Sequence, residues 1–528
     1  MNKNRNHQRL AACLLSLVIP LTISAASPPA ESERACSLEA LPDLPDVTIT
    51  SVTHETEYAP HCKVAGVIGA ETNFELLLPD TWNGKFVMGG GGGFVGFVVN
   101  TALLYGALQN GYATVGTDTG HRGHPLDASW ALNNLERVVS FGHQAVHRTA
   151  VTSKALIAGY YGHDISRSYF TGCSRGGGQA LMEAQRYPED FDGIVAGAPA
   201  SNWTVELGAR NTRLNAAMYP NPEDLSVATI TPRAQQLIGD AVLSQCDTLD
   251  GLEDSIVNNP GQCDFDVTSL ACGGAKTEAC LSKQEVAAAR TIYDDLFING
   301  ERVFPGFPVG AELSPDGWAK WLTGGLAVGE EVGEFQEGVV AAAAEDPPPA
   351  VPNAHFAFGN GVMRYLVFND PDWDYTKYEF DTFHPDTAAA AQTLNATDPD
   401  IDAFRARGGK LLMYTGWGDM ALNPYGTIEY YENVLDHDPR AAEDVRLIML
   451  PGVAHCFGGV GPDFVNYLDE IDRWVETGDA PEQMTAYWLN DQMQPDGTRP
   501  VCAYPDYVKY NGNGDTRDAS SFSCVSGE

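Results

Sequence analysis

Short apolar runs that end in glycine-rich or acidic turns and alternate with helical stretches constrain this fold more than any other feature. Residues 85–88 read as a strand running into the five glycines at 89–93, and 112–115 as a second, ending at Asp118-Thr119-Gly120-His121. Residues 141–161 form a long helical stretch, 168–171 a short strand entering a glycine-rich turn, 179–187 a helix and 193–196 an extended run. After residue 400 the alternation resumes, with 410–414 strand-like, 428–435 helical and 445–450 strand-like. Short apolar strands separated by helices predict an α/β fold, a mainly parallel sheet with helices on both faces. Residues 202–400 break the pattern: they are richer in loops and hold four cysteines, Pro347-Pro348-Pro349 and many acids. They read as a subdomain inserted between two halves of one sheet, 27–201 and 401–528.

Composition excludes whole classes of partner. The 528 residues carry 32 basic and 70 acidic side chains, a net charge of −38, and such a surface repels nucleic acid and anionic lipid. Residues 1–26 read as an export signal, with Lys3, Arg5 and Arg9 ahead of a short apolar run and Ser24-Ala25-Ala26 at its end. Leu10-Ala11-Ala12-Cys13 precedes that run, whereas a lipoprotein box would follow it. No later stretch reaches the ~18–20 apolar residues of a membrane span. The expectation is a secreted or periplasmic protein.

Removing Cys13 from the eleven cysteines leaves ten, an even number suited to an oxidising compartment. Sequence neighbours suggest Cys36 with Cys62, Cys246 with Cys263, Cys272 with Cys280 and Cys502 with Cys524, leaving Cys173 and Cys456 for each other. Order alone fixes no connectivity, but no CxxC spacing supports a zinc site instead.

Gly172-Cys173-Ser174-Arg175-Gly176 has the G-x-S-x-G spacing of a nucleophile elbow, a tight strand-to-helix turn that lifts the serine oxygen clear of the backbone. A serine hydroxyl needs a histidine to take its proton and an acid to orient that histidine. Asp419 stands just beyond the run 410–414 and His455 just beyond 445–450, in the chain order Ser, Asp, His and at the carboxyl ends of predicted strands. The backbone N–H of Arg175 and one from the glycine run, Gly93, are the expected donors to an oxyanion. A Cys173–Cys456 bridge would fasten the histidine loop to the elbow, where a ~1 Å error in position can cost ~100-fold in rate.

These residues resemble the tannase and feruloyl esterase family of α/β-hydrolases, which includes bacterial terephthalate-monoester hydrolases. The resemblance rests on Cys-Ser at the elbow with a distant His-Cys. It extends to Trp82-Asn83-Gly84-Lys85, Thr117-Asp118-Thr119-Gly120-His121 and the stretch from Phe191 to Pro199. It implies Ser174, Asp419 and His455 as a triad, Gly93 with Arg175 as the oxyanion hole, Cys173–Cys456 as a bridge, and the four local cysteine pairs. It further implies an inserted lid and a structural calcium in it, held by Asp247, Asp250 and Asp254 with the carbonyls of Leu252 and Ile256. Those acids are spaced three and four apart around Gly251, unlike an EF-hand. Leu422 lines the acyl pocket by position in the resemblance. The implied activity is hydrolysis of esters of aromatic acids: hydroxycinnamoyl, galloyl or terephthalate-monoester.

Other features read more plainly. His143 and His147 lie four apart on a helix but lack the glutamate of H-E-x-x-H, and read as ordinary helix-face residues. Trp318, Trp321, Phe356, Phe358, Tyr365 and Trp373 put many aromatics in the lid, some of them able to sandwich an aromatic acyl group. His121 has no assignable chemistry, and no cation for a substrate carboxylate is identifiable by position. Competing readings are a serine hydrolase of aliphatic esters, a peptidase with the same triad, and a non-catalytic calcium-dependent binding protein.

Overall fold

Two strands are buried at every position, β5 (Ala113–Thr117) and β7 (Gly193–Gly197), as strands must be when helices cover both sides of their sheet. The computed structural model describes residues 35–324, 351–490 and 492–527. The signal read at 1–26, with Cys13, and the run Pro347-Pro348-Pro349 lie outside the described residues.

The main sheet has nine strands in the order β1-β2-β3-β5-β4-β6-β7-β10-β11. The remaining members are β1 (Val47–Glu55), β2 (His61–Ile68), β3 (Thr72–Pro79), β4 (Lys85–Gly89), β6 (Arg167–Cys173), β10 (Lys410–Gly416) and β11 (Val445–Leu450). The pairs β1·β2, β2·β3 and β3·β5 are antiparallel; every later pair is parallel. The sheet is therefore mainly parallel, with an antiparallel meander at one edge.

Alternate residues of these strands enter two separate cores. Phe86, Met88, Phe170, Ile194, Met413 and Leu447 pack with the helices Ala145–Tyr161, Arg175–Arg186 and Pro424–His437. Val87, Tyr169, Val195, Leu412 and Ile448 pack on the other face with the helix Tyr467–Thr477. Adjacent residues pointing to opposite faces is the period of a strand, and here both faces are apolar.

β7 and β10 are hydrogen-bonded neighbours, yet residues 198–409 lie between them in sequence. The described residues of that segment add no strand to the main sheet; they contribute helices and the hairpin β8 (Leu296–Ile298) and β9 (Glu301–Phe304). Its own core continues into Phe94, Val95, Met420 and Leu422, which sit on loops at the strand ends. Beyond β11 come the hairpins β12 (Gln483–Leu489) with β13 (Pro495–Cys502) and β14 (Tyr507–Tyr510) with β15 (Phe522–Val525).

Five disulfides are present: Cys36–Cys62, Cys173–Cys456, Cys246–Cys263, Cys272–Cys280 and Cys502–Cys524. Among the described residues no helix is long and apolar enough to cross a membrane.

Candidate active site

β6 ends at Cys173, and the helix Arg175–Arg186 begins two residues later, so a single residue makes the turn. Ser174 takes φ 61° and ψ −121°, a conformation that costs a side-chain-bearing residue ~1–3 kcal/mol and holds its side chain out of both elements. Its amide donates to the Gly197 carbonyl (3.0 Å), and its own carbonyl accepts from Gly178 (3.1 Å) and Ala200 (2.9 Å). Glycine is required around it: a Cβ on Gly172 would lie 2.6 Å from the Gly176 backbone, and one on Gly177 only 2.1 Å from the Gly197 carbonyl oxygen. This close approach overrides the poor helix propensity of three consecutive glycines.

Asp419 follows β10 and His455 follows β11, and the two loops are joined by backbone bonds from Trp417 to Leu450 (2.9 Å) and from Gly418 to Val453 (2.9 Å). His455 Nδ1 donates to Asp419 Oδ2 at 2.9 Å. The other oxygen of this fully buried carboxylate accepts from the amides of Ala421 (2.8 Å) and Leu422 (3.0 Å). With Nδ1–H engaged, the imidazole keeps its Nε2 lone pair for a proton. The Cys173–Cys456 bridge spans 283 residues with Cα atoms 6.0 Å apart, and joins the residues next to Ser174 and His455. Chain entropy makes a loop of that length worth ~5 kcal/mol at most.

Gly93, Ser174, Arg175 and His455 face one cavity of about 290 Å³ of empty space. Its other walls are apolar, with Trp203, Leu207, Trp321, Phe358 and Leu422 the large side chains. Trp321 stands edge-on to His455, centroids 5.3 Å apart at 80°. Of the lid aromatics singled out in the sequence, Trp321 and Phe358 reach the cavity. Trp318 packs on Tyr293, Phe356 on Tyr219 and Tyr375, and Trp373 on Phe368, while Tyr365 packs against the segment's core. Sequence reasoning missed Trp203 and Leu207. They follow β7 in the helical turn Trp203–Arg210, and their position just past a strand end was the available signal.

The Arg175 side chain also has an unforeseen place. Its guanidinium lies 4.2 Å from the Phe141 ring centroid and 5.2 Å from that of Trp203, and its Nη2 donates to the carbonyls of Phe141 and Gly142. Burial lowers its pKa to about 9. The amide of Arg175, at the first helical position, has no acceptor within the helix and is free for an oxyanion.

Three buried groups brace the loops. His121 donates from Nε2 to the Phe94 carbonyl (2.9 Å), beside Gly93, and stacks on Trp130 at 3.7 Å. Burial lowers its pKa to about 3, so it is a neutral strut for the glycine run. Glu206 accepts from the Asn423 amide at 2.6 Å, and burial raises its pKa to about 8. His355, between Trp321 and Phe307, is lowered by burial to about 3.

The acidic loop inside Cys246–Cys263 suits a hard cation. Asp247 and Asp250 are buried, burial raises the pKa of both, and Asp250 Oδ2 has no hydrogen-bond partner. Asp254 Oδ2 accepts from Arg499 Nη2 at 2.7 Å, tying the loop to β13. A carboxylate oxygen buried without a partner, beside two further acids, is the environment a bound cation relieves. The donor chemistry is of the kind calcium takes, but the three carboxylates are not drawn together to within 4.8 Å of one another as a set.

The family model for tannase and feruloyl esterase matches residues 55–525. An uncharacterized esterase of Xanthomonas campestris pv. campestris is 32% identical over 94% of this chain and 92% of its own. A mono(2-hydroxyethyl) terephthalate hydrolase of Piscinibacter sakaiensis is 31% identical over 88% of this chain and 85% of its own. The crystal structure of feruloyl esterase B from Aspergillus oryzae superposes with a TM-score of 0.77 at 25% identity, covering 93% of this chain and 99% of that one. The cavity beside an elbow serine, a doubly wound sheet and a family match over most of the chain lead to one assignment: this chain belongs to the tannase and feruloyl esterase family of α/β-hydrolases and is a carboxylic-ester hydrolase.

Proposed function

We propose that this protein is an exported serine esterase acting on esters of aromatic acids, of the hydroxycinnamoyl, galloyl or terephthalate-monoester type. The observation that carries the reading is the His455–Asp419 hydrogen bond opening onto a cavity that Ser174 shares with Trp203, Trp321 and Phe358. Aromatic walls favour a flat acyl group, which stacks or meets them edge-on. Two of the relatives point the same way, one named as a mono(2-hydroxyethyl) terephthalate hydrolase and one as a feruloyl esterase. Five disulfides suit the oxidising compartment that an export signal leads to.

In the mechanism, Ser174 Oγ attacks the ester carbonyl carbon while His455 Nε2 takes its proton. Negative charge collects on the carbonyl oxygen, which accepts from the amides of Arg175 and Gly93. His455 then gives the proton to the departing alcohol oxygen, leaving an acyl group on Ser174. Water loses a proton to His455 and attacks that acyl carbon; the acid departs as Ser174 recovers its proton. Asp419 keeps the imidazole in the required tautomer and stabilises its charged form.

Residues 202–400 act as the lid that carries the specificity wall. Asp247, Asp250 and Asp254, with the carbonyls of Leu252 and Ile256, would hold a structural calcium there; it would supply positive charge to the acidic loop and takes no part in the ester chemistry.

Hydrolysis of methyl ferulate, methyl gallate and a terephthalate monoester, beside an aliphatic ester and a peptide amide, tests the reading. Faster turnover of an aromatic ester than of the other two supports it. A preference for the aliphatic ester or the amide would contradict it.

A further inference from the structure

Outside the lining of the cavity, three metal-ligating side chains converge. His147 belongs to the helix Ala145–Tyr161, Glu183 to the helix that starts at the nucleophile, and Asp190 to the turn before β7. A ring nitrogen of His147 and one carboxylate oxygen from each acid all lie within 4.8 Å of one another. His147 Nδ1 is 2.6 Å from Asp190 Oδ2. Glu183 is 1% exposed, and its Oε2 meets no N–H or hydroxyl donor; burial and the adjoining Asp190 carboxyl raise its pKa well above the usual carboxylate range. An acid oxygen left bare beside a second carboxylate must be met by either a proton or a cation.

We propose that His147, Glu183 and Asp190 form a binding site for a divalent transition metal of the zinc type, distinct from the ester-cleaving cavity and from the acidic loop at Asp247. One imidazole nitrogen and two carboxylate oxygens, with a position left for water, are a donor set zinc accepts. Calcium, which takes six to eight oxygens, is poorly served by a three-residue set that includes an imidazole. The imidazole is already oriented: its ring stacks on Tyr187 at 4.0 Å, and the Tyr187 hydroxyl is 2.7 Å from His143 Nδ1. An entry path exists, because the His147 side chain is 34% exposed and Asp190 also lines a neighbouring cavity of about 700 Å³ of empty space. Lys154 is close: burial lowers its pKa, its ammonium donates to the Asp190 backbone carbonyl, and its charge acts on Asp190 and Glu183 without a hydrogen bond to either carboxylate. The metal's effect would be to fasten two helices and the turn before β7 together, which raises stability without entering the reaction.

Zinc titration decides between the two occupants. Tag-free protein is stripped with EDTA, returned to excess calcium, and titrated with zinc chloride by calorimetry, with thermal melts alongside. The expected result is one strong equivalent of zinc and a higher melting temperature, with affinity at least tenfold weaker in His147→Ala and in Glu183→Gln. Asp400, Asp402 and His437 form a second close group, but all three are exposed; Asp400→Asn serves as the control and should leave the strong binding unchanged. The proposal is overturned if wild type takes up no zinc, if strong uptake persists in His147→Ala, or if Asp400→Asn abolishes it. Should Glu183→Gln fail to fold, the partly exposed His147→Ala decides alone.

Discussion

The two walls of the cavity are built by different means. The strand-end wall, with Ser174, Arg175 and His455 and with Asp419 buried behind His455, hangs on β6, β10 and β11, and backbone hydrogen bonds and the Cys173–Cys456 bridge tie its loops together. The opposite wall, with Trp203, Leu207, Trp321 and Phe358, comes from helical turns of the segment between β7 and β10, held by side-chain packing. Chemistry that tolerates little displacement sits where the backbone is over-determined; shape recognition sits where single side chains can change without disturbing the sheet.

If that division is right, damage to the first wall must be far costlier than damage to the second. Ser174→Ala and Asp419→Asn should each lower kcat by about 10⁴-fold with little change in KM, measured on the preferred ester. Reducing the bridge with Cys173→Ser and Cys456→Ser together should cost about 100-fold in kcat, because His455 loses its alignment, and should lower the melting temperature. On the second wall, Trp321→Ala should lower kcat/KM for an aromatic ester by about tenfold while sparing a short aliphatic ester, as a comparison of the two substrates would reveal. An equal loss on both substrates would move Trp321 to the chemical wall.

The smallest effect concerns Glu206, which bonds the loop after Asp419. Burial raises its folded pKa to about 8, so its contribution to stability is fully present below the unfolded carboxylate range, near 4.5, and is lost as pH rises through 8. The melting temperature of wild type should therefore fall more between pH 5 and pH 8 than that of Glu206→Gln. Parallel pH profiles for the two proteins would remove Glu206 as a titrating group.

The same division explains what could be read without a structure. β11 is legible to its ends, since 445–450 is apolar at every position but Arg446 and lies between a charged turn and a proline. The helix after the elbow was read from Gln179, four residues late, because Gly176, Gly177 and Gly178 are poor helix formers until the Gly197 and Ala200 carbonyls crowd against them. The antiparallel meander β1–β3 was not read at all. None of its strands alternates polar with apolar residues from end to end: the alternation of β1 first breaks at Thr50-Ser51, β3 holds the unbroken run Leu76-Leu77-Leu78, and the turn between β2 and β3 is no more than Gly69-Ala70-Glu71. That Ser174 and His455 share a cavity and that His455 bonds Asp419 is legible in advance because the proposed chemistry demands residue type and strand-end position together. The aromatic wall was legible only as a surplus of rings: packing alone separates Trp321 and Phe358 from Trp318 and Phe356. The Arg175 guanidinium between Phe141 and Trp203 is likewise a product of tertiary contact.

The most direct test of the central claim is to trap the acyl-enzyme intermediate's mimic. Wild type is treated with an aryl phosphonate ester, and the adduct is located by peptide mass spectrometry. One phosphonyl group on Ser174, with none on Ser174→Ala and little on His455→Ala, is the predicted result. Labelling of another residue, or equal labelling of Ser174→Ala, would contradict the proposed triad.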